Sequence, residues 1–197
     1  MNSADHVAVG PDGQEWRLPA KGHVGMACLI LTECAFFAIF IVAHLFYLGK
    51  NLVGPNADIL ELPVVGTIFL LSSSITITLA VRALRQGHLA AFNGFWFVTI
   101  LFGLIFLIGT GFEWYGLIYD DGLTIRTNLL GTTFYSLVGF HAAHVTIGLL
   151  MLTGVLIFSF AGFIRENEAE RVDVLSWYWH FVDAVWVVVL TVVYLIV

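Results

Sequence analysis

The sequence predicts an all-α membrane protein, a bundle of five transmembrane helices, and three observations predict it. Of 197 residues, 59% are apolar and only 11% charged, against about 45–50% and about 25% in soluble domains. Mean hydropathy is +0.93, and a water-soluble chain of this length has too much exposed shell to hide that much apolar surface. The apolar residues also fall into five separate stretches, each near the roughly 20 residues that cross a hydrocarbon core. None of the five alternates as a membrane strand does, which excludes a barrel. The composition excludes disorder, and the net charge of −6 excludes nucleic acid as a partner.

Residues 1–22, with Asp5, His6, Pro11, Asp12, Gly13, Glu15 and Pro19, are polar and uneven and read as a short arm outside the membrane. They lack the basic-then-apolar pattern of a cleaved signal, so the first span is expected to remain in the mature protein. The five-helix transmembrane domain is expected over 23–197, with spans at about 23–49, 63–84, 92–118, 129–161 and 174–197. Chain breakers separate them. Gly49, Gly54, Pro55 and Pro63 surround the first connection, Gly87 interrupts the second, Asp120, Asp121 and Gly122 make the third, and the acidic run 165–173 makes the fourth. Cys28 and Cys34 lie on different faces of the first span, which argues against a disulfide.

Orientation follows from the basic residues. Arg17, Lys21, Arg82, Arg85, Arg165 and Arg171 lie on one side of the predicted spans, and only Lys50 and Arg126 on the other. The asymmetry predicts a cytoplasmic N-terminus and, after five crossings, a periplasmic C-terminus.

Ionisable residues within spans are costly and need a reason. At about 1.5 Å per helical residue, Glu33 lies roughly 15 Å deep, Asp183 about 13 Å and His180 near 9 Å, while His141 and His144 reach roughly 12 and 8 Å. Three helices thus place five titratable groups in one slab. His141 and His144 are three residues apart, as are His180 and Asp183, so each pair shares a face. Glu33, Phe37, Phe40 and His44 share another. Gly139, Ala142, Ala143 and Gly148 surround the histidine pair, and small residues let helices approach closely. Gly139 and Ala143 in particular are expected at a tight helix contact. Three readings of the slab stand open: a hydrogen-bond network that locks the bundle, a metal or haem site, and a protonatable carboxylate at Glu33. Of the other histidines, His6 and His88 fall outside the spans and His23 at the edge of one. Glu113, next to Trp114 and Tyr115, reads as an interfacial carboxylate in an aromatic belt. The run Ser72, Ser73, Ser74, Thr76 and Thr78 reads as helix packing with local bonds back to carbonyls.

Four segments carry a resemblance. SWYWHFVDAVWVVVLTVVY (176–194) looks like the last helix of subunit III of the haem-copper respiratory oxidases, with its WYWHFVD hallmark. GTTFYSLVGFHAAHVTIG (131–148) is similar to that family's helix with two histidines three apart. LTECAFFAIFIVAHLFYL (31–48) resembles its helix with a buried glutamate, and FEWY (112–115) its SEYYE-like stretch. The resemblance runs from about residue 22 to the end of the chain. Seven-helix members begin with two further helices that precede these segments, so this sequence looks like a short five-helix bacterial form. Leu79 and Ala80 stand where the family has a histidine pair, and Arg165 lies a few residues beyond its basic position.

The resemblance implies an accessory subunit of an aa3-type cytochrome c oxidase in a bacterial inner membrane, with no metal or redox cofactor of its own. Haems and copper would lie in partner subunits. Its main partner would be catalytic subunit I, with subunit II and a small subunit IV as further candidates and with phospholipids at the contact. It would support proton uptake while oxygen is reduced to water. The electron donor would be cytochrome c, or alternatively quinol. By the same resemblance Glu33 is the buried, carbodiimide-reactive carboxylate, His141, His144, His180 and Asp183 form the midplane polar network, and Arg165 and Trp179 are candidates for lipid headgroups. A free-standing membrane enzyme using the midplane His, Glu and Asp residues is the alternative from another class.

Overall fold

Five helices long and apolar enough to cross a membrane make up the protein in the computed structural model, which describes residues 7–9, 15–17, 21–50, 54–55 and 59–196. They are α1 (Lys21–Tyr47), α2 (Val64–Arg85), α3 (Leu89–Tyr119), α4 (Leu129–Phe160) and α5 (Ala169–Leu190), the last continued by a π-helical turn at Thr191–Leu195. The shortest, α2, has 22 residues and at 1.5 Å each is about 33 Å long, enough for a hydrocarbon core of about 30 Å. This is a multi-pass membrane protein. Most of the expected arm, with His6, lies outside the described residues. Within it two short strands, β1 (Val7–Val9) and β2 (Glu15–Arg17), pair antiparallel with Val7 opposite Arg17. No strand is expected there from so polar and uneven a sequence.

Two connections fix how neighbouring helices meet. Gln86, Gly87 and His88 are all that separates α2 from α3, and Gly87 takes φ +74°, a left-handed turn that glycine alone adopts at no cost. So short a link makes α2 and α3 an antiparallel hairpin. At the other end Asn128 caps α4, its Oδ1 accepting from the Gly131 N–H at 2.8 Å. The same side chain donates from Nδ2 to the Pro55 carbonyl at 2.9 Å, which pins the first connection onto the third. α5 packs on α1, α2 and α4, while α3 rests on α2 and α4.

The centre of the bundle is aromatic. Trp96, Trp179 and Trp186 are among the largest fully buried side chains, and each indole N–H has an acceptor, as buried tryptophan requires. Trp96 donates to the Leu152 carbonyl at 2.8 Å, Trp186 to the Thr67 hydroxyl at 3.1 Å and Trp179 to the Ser73 hydroxyl at 2.7 Å. Trp179 is 0% exposed, which corrects its assignment as a lipid-headgroup residue. Its six-membered ring fills the space left by Gly103 of α3 and Gly148 of α4, where an added Cβ would come within 2.8 Å of it.

The close helix approach expected at Gly139 and Ala143 is also displaced. Ala143 is exposed, and a Cβ on Gly139 would meet only Trp114, at an ordinary 3.5 Å. The glycine of α4 that matters is Gly148, nine residues beyond Gly139, because α4 turns its Gly148 side and not its Ala143 side toward α5. Replacing Gly148 with Ala is therefore expected to overpack the Trp179 pocket at a cost of about 1–3 kcal/mol. Gly139→Ala should be close to neutral, and thermal unfolding of the two variants in mild detergent separates them.

Candidate functional site

The five titratable residues of the slab separate into two bonded sets and one lone ring. In the first set, His144 of α4 places Nε2 3.1 Å from Glu33 Oε2 of α1. His144 Nδ1 lies 2.7 Å from the Phe140 carbonyl. A carbonyl can only accept, so Nδ1 is the protonated nitrogen. Nε2 then carries hydrogen only if the ring is an imidazolium. At 3.1 Å, Nε2 is within hydrogen-bond distance of the Glu33 carboxyl group, with donor and acceptor set by the ring tautomer. The pair is not sealed: the Glu33 side chain is 27% exposed and that of His144 14%. Phe36, Phe40 and Phe140 stack edge to edge beside it, and Phe37 lies against the His144 ring.

The second set joins α5 to α2. The Ser74 hydroxyl donates to Asp183 Oδ2. With that proton committed, Ser74 Oγ accepts from His180 Nδ1 at 3.0 Å, and Thr78 Oγ1 lies 3.4 Å from the other ring nitrogen. Next along α2, Ser73 accepts from Trp179 and donates to its own Leu70 carbonyl. The serine run read as local back-bonding is therefore the partner surface for Trp179, His180 and Asp183.

His141 stands apart. It is 0% exposed, stacked on Trp186 at 5.1 Å and met edge-on by Phe106. Among the described residues neither ring nitrogen has a hydrogen-bond partner. The single midplane network of His141, His144, His180 and Asp183 is thus not what the chain builds. Residues three apart on a helix share a side of it but differ by about 60° in direction, enough to aim His144 at α1 and His141 at α3 and α5. Among the described residues no group of three or more His, Cys, Asp or Glu side chains is placed to hold a metal ion.

Comparison with known proteins decides the family. The model of cytochrome c oxidase subunit III matches residues 18–197. The chain belongs to the cytochrome c oxidase subunit III family. It is 34% identical over 184 residues to cytochrome c oxidase subunit 3 of Corynebacterium diphtheriae, covering 90% of this chain and 89% of that one. The protein of that name from Alkalihalophilus pseudofirmus is 36% identical over 166 residues, 83% of this chain and 81% of the relative. That of Synechocystis is 36% identical over 177 residues, 87% and 74% of the two chains.

In this subunit III chain the remaining candidates sit toward the ends of the spans. Glu113 of α3 accepts from the Tyr194 hydroxyl at 2.7 Å, so it ties α3 to the π-helical turn. Arg165 is exposed in the link between α4 and α5. Two interhelical ties were not evident in the sequence, although the spacing places His44 on the Glu33 face of α1. His44 of α1, 1% exposed, places Nδ1 3.0 Å from the Thr133 hydroxyl of α4. Asp173 of α5 lies 2.8 Å from Arg85 Nη2 of α2 and 3.5 Å from His23 Nε2 of α1. Opposite charges at the same end of two spans were the available signal for the Arg85–Asp173 pair.

The geometry yields a chemical expectation. Glu33 faces a half-open apolar seam that a hydrophobic reagent can enter, whereas Glu113 is held by a tyrosine. A hydrophobic carbodiimide is expected to modify the more accessible Glu33 well ahead of Glu113. Glu33→Gln should abolish that modification while the chain still assembles, because a carboxamide N–H can donate to His144 Nε2. Peptide mass spectrometry of labelled protein checks both statements, and equal labelling of Glu113 would contradict them.

Proposed function

We propose that this chain is the accessory subunit III of an aerobic terminal oxidase of the aa3 type, in a bacterial inner membrane. Its N-terminus is cytoplasmic and its C-terminus periplasmic, as the basic residues require. It packs against catalytic subunit I, with subunit II and a small subunit IV nearby, and phospholipids occupy the contact. Haems and copper reside in those partners. The chain supports proton uptake and the working life of the oxygen-reducing site, and the electrons come from cytochrome c, the donor in the names of the relatives.

The observation that carries this reading is the use the chain makes of its costly polar side chains. Glu33, His44, Glu113, His144, His180 and Asp183 each bond a side chain on another helical segment. Groups so engaged fasten helices. The outward faces meanwhile are apolar, with Leu31 and Ile39 of α1 and Phe112 and Tyr115 of α3 all well exposed, suited to lipid tails and to other membrane helices. Ile108, Gly111, Phe112 and Tyr115 line an open groove of about 440 Å³ on α3.

Stripping this chain from the purified native complex tests the reading. The haem absorption is expected to stay with the remaining chains. Oxygen reduction should begin normally and then fail after fewer turnovers than in the intact complex. Stoichiometric haem or iron leaving with this chain would overturn the accessory role and favour an enzyme built on its own histidines.

A further inference from the structure

One side of α5 is left open by its neighbours among the described residues. α5 packs on α1, α2 and α4, but α1 and α2 make no substantial contact with each other. A seam therefore runs between them with α5 as its floor. Trp177, His180, Ala184, Val187 and Thr191 line that floor, spaced three, four, three and four residues apart. These are the a and d positions of a helix that meets a partner in a left-handed pair, the usual crossing of membrane helices. Trp177, Ala184, Val187 and Thr191 are exposed and His180 is half-buried.

The walls follow from how the flanking helices are turned. α1 sets Glu33, Phe36 and Phe40 against α4 and Phe37 against Phe181 of α5. At about 100° per residue, Ala27, Cys34 and Ala38 fall on the side beyond α5, and all three are exposed. α2 bonds Thr76 to Thr99 of α3 and Ser74 to α5, which leaves Leu71, Ile75 and Thr78 at the other rim. Small side chains on the α1 wall, with Ala184 in the floor, leave room for another helix to come close.

Lipid tails suit an apolar seam, but this one carries a polar group whose bonding is incomplete. Ser74 gives its hydrogen to Asp183, so His180 Nδ1–H donates to Ser74 Oγ at 3.0 Å. Nε2 of the neutral ring is then left as an acceptor. Thr78 does not meet it. The Thr78 hydroxyl donates to the Ser74 carbonyl at 2.8 Å, and its oxygen is 3.4 Å from Nε2, longer than a good hydrogen bond. Hydrocarbon offers no donor, and an unmet polar group there costs free energy. A protein helix can supply the donor.

We propose that one transmembrane helix of another chain of the complex docks along this seam, seated on Ala184 and Thr191 and carrying a hydroxyl or amide side chain that bonds His180 Nε2. The proposal rests on the function proposed above only in taking other membrane chains to be present. It names the face of this chain that receives one of them.

Photocrosslinking in the native complex tests it. Benzoylphenylalanine replaces Val187, the complex is irradiated, and adducts are identified by peptide mass spectrometry. The expected adduct joins this chain to a single transmembrane segment of one other chain. That segment should carry a hydroxyl or amide side chain within about two turns of the adduct, the separation of Val187 from His180. Ala184→Trp fills the floor of the seam and should remove the adduct, while thermal unfolding of the full chain in mild detergent stays unchanged. Leu150→Trp, at a well exposed position of α4, should leave the adduct intact. Adducts to lipid alone, an adduct to a second copy of this chain, a partner segment without such a side chain, an adduct that survives Ala184→Trp, or its loss in Leu150→Trp would each overturn the proposal. Any of these in a complex that shows haem absorption strikes the docking site alone, whereas a complex without a haem-bearing chain strikes the oxidase reading.

Discussion

The hydrogen bonds that Ser73 and Ser74 of α2 make with α5 are the interaction on which the rest of the bundle depends. Lipid offers no partner to a buried polar group, so each such group in a span must find one inside the protein. Trp179, His180 and Asp183 fall within five consecutive residues of α5, and two adjacent serines meet all three. That arrangement sets the rotation of α5 about its axis. It also aims the Trp179 indole into the gap left by Gly103 and Gly148, which draws α3 and α4 to the same point. Since apolar side chains gain nothing by leaving lipid tails for each other, close packing and bonds of this kind are what hold membrane helices together.

α1 is the exception that this core permits. With α5 fixed against α2 and α4, Asp173 and the α4 residues Thr133 and His144 present a ladder of polar positions to a fifth helix. α1 answers with one residue about every three turns and leaves its other sides apolar and exposed. Phe37, buried between His144 and Phe181, and Phe36 and Phe40 against Phe140 complete its attachment.

Much of the fold was legible in the sequence. The five spans follow from hydrophobic length, and the short α2–α3 link from Gly87. The residues of the polar sites were legible too, because Glu33, His144, His180 and Asp183 are conspicuous in apolar surroundings. Their pairing was not. Depth can be counted from a span's start, but direction around the axis depends on which helices are neighbours, and no spacing within one helix reveals that. Hence His141 and His144 were read as one unit, although one is buried in an aromatic box and the other faces α1. Trp179 was misplaced for a related reason. Its headgroup role came from the resemblance, and only the glycines of two other helices show that a pocket awaits it. The serine run was read as helix packing with local back-bonding, and both occur; what the sequence did not show is that Ser73 and Ser74 bond Trp179, His180 and Asp183 of α5.

The central claim is that polar side chains in these spans act as fasteners between helices, and a double-mutant cycle on Ser74 and Asp183 measures it most directly. Ser74→Ala, Asp183→Leu and the double variant are compared by reversible unfolding in bicelles. A coupling energy of about 0.6–1.7 kcal/mol, the range found for hydrogen bonds between membrane helices, is the expected result. Effects that simply add, within about 0.3–0.5 kcal/mol, would mean that the serine contributes nothing to holding α5, and would contradict the account.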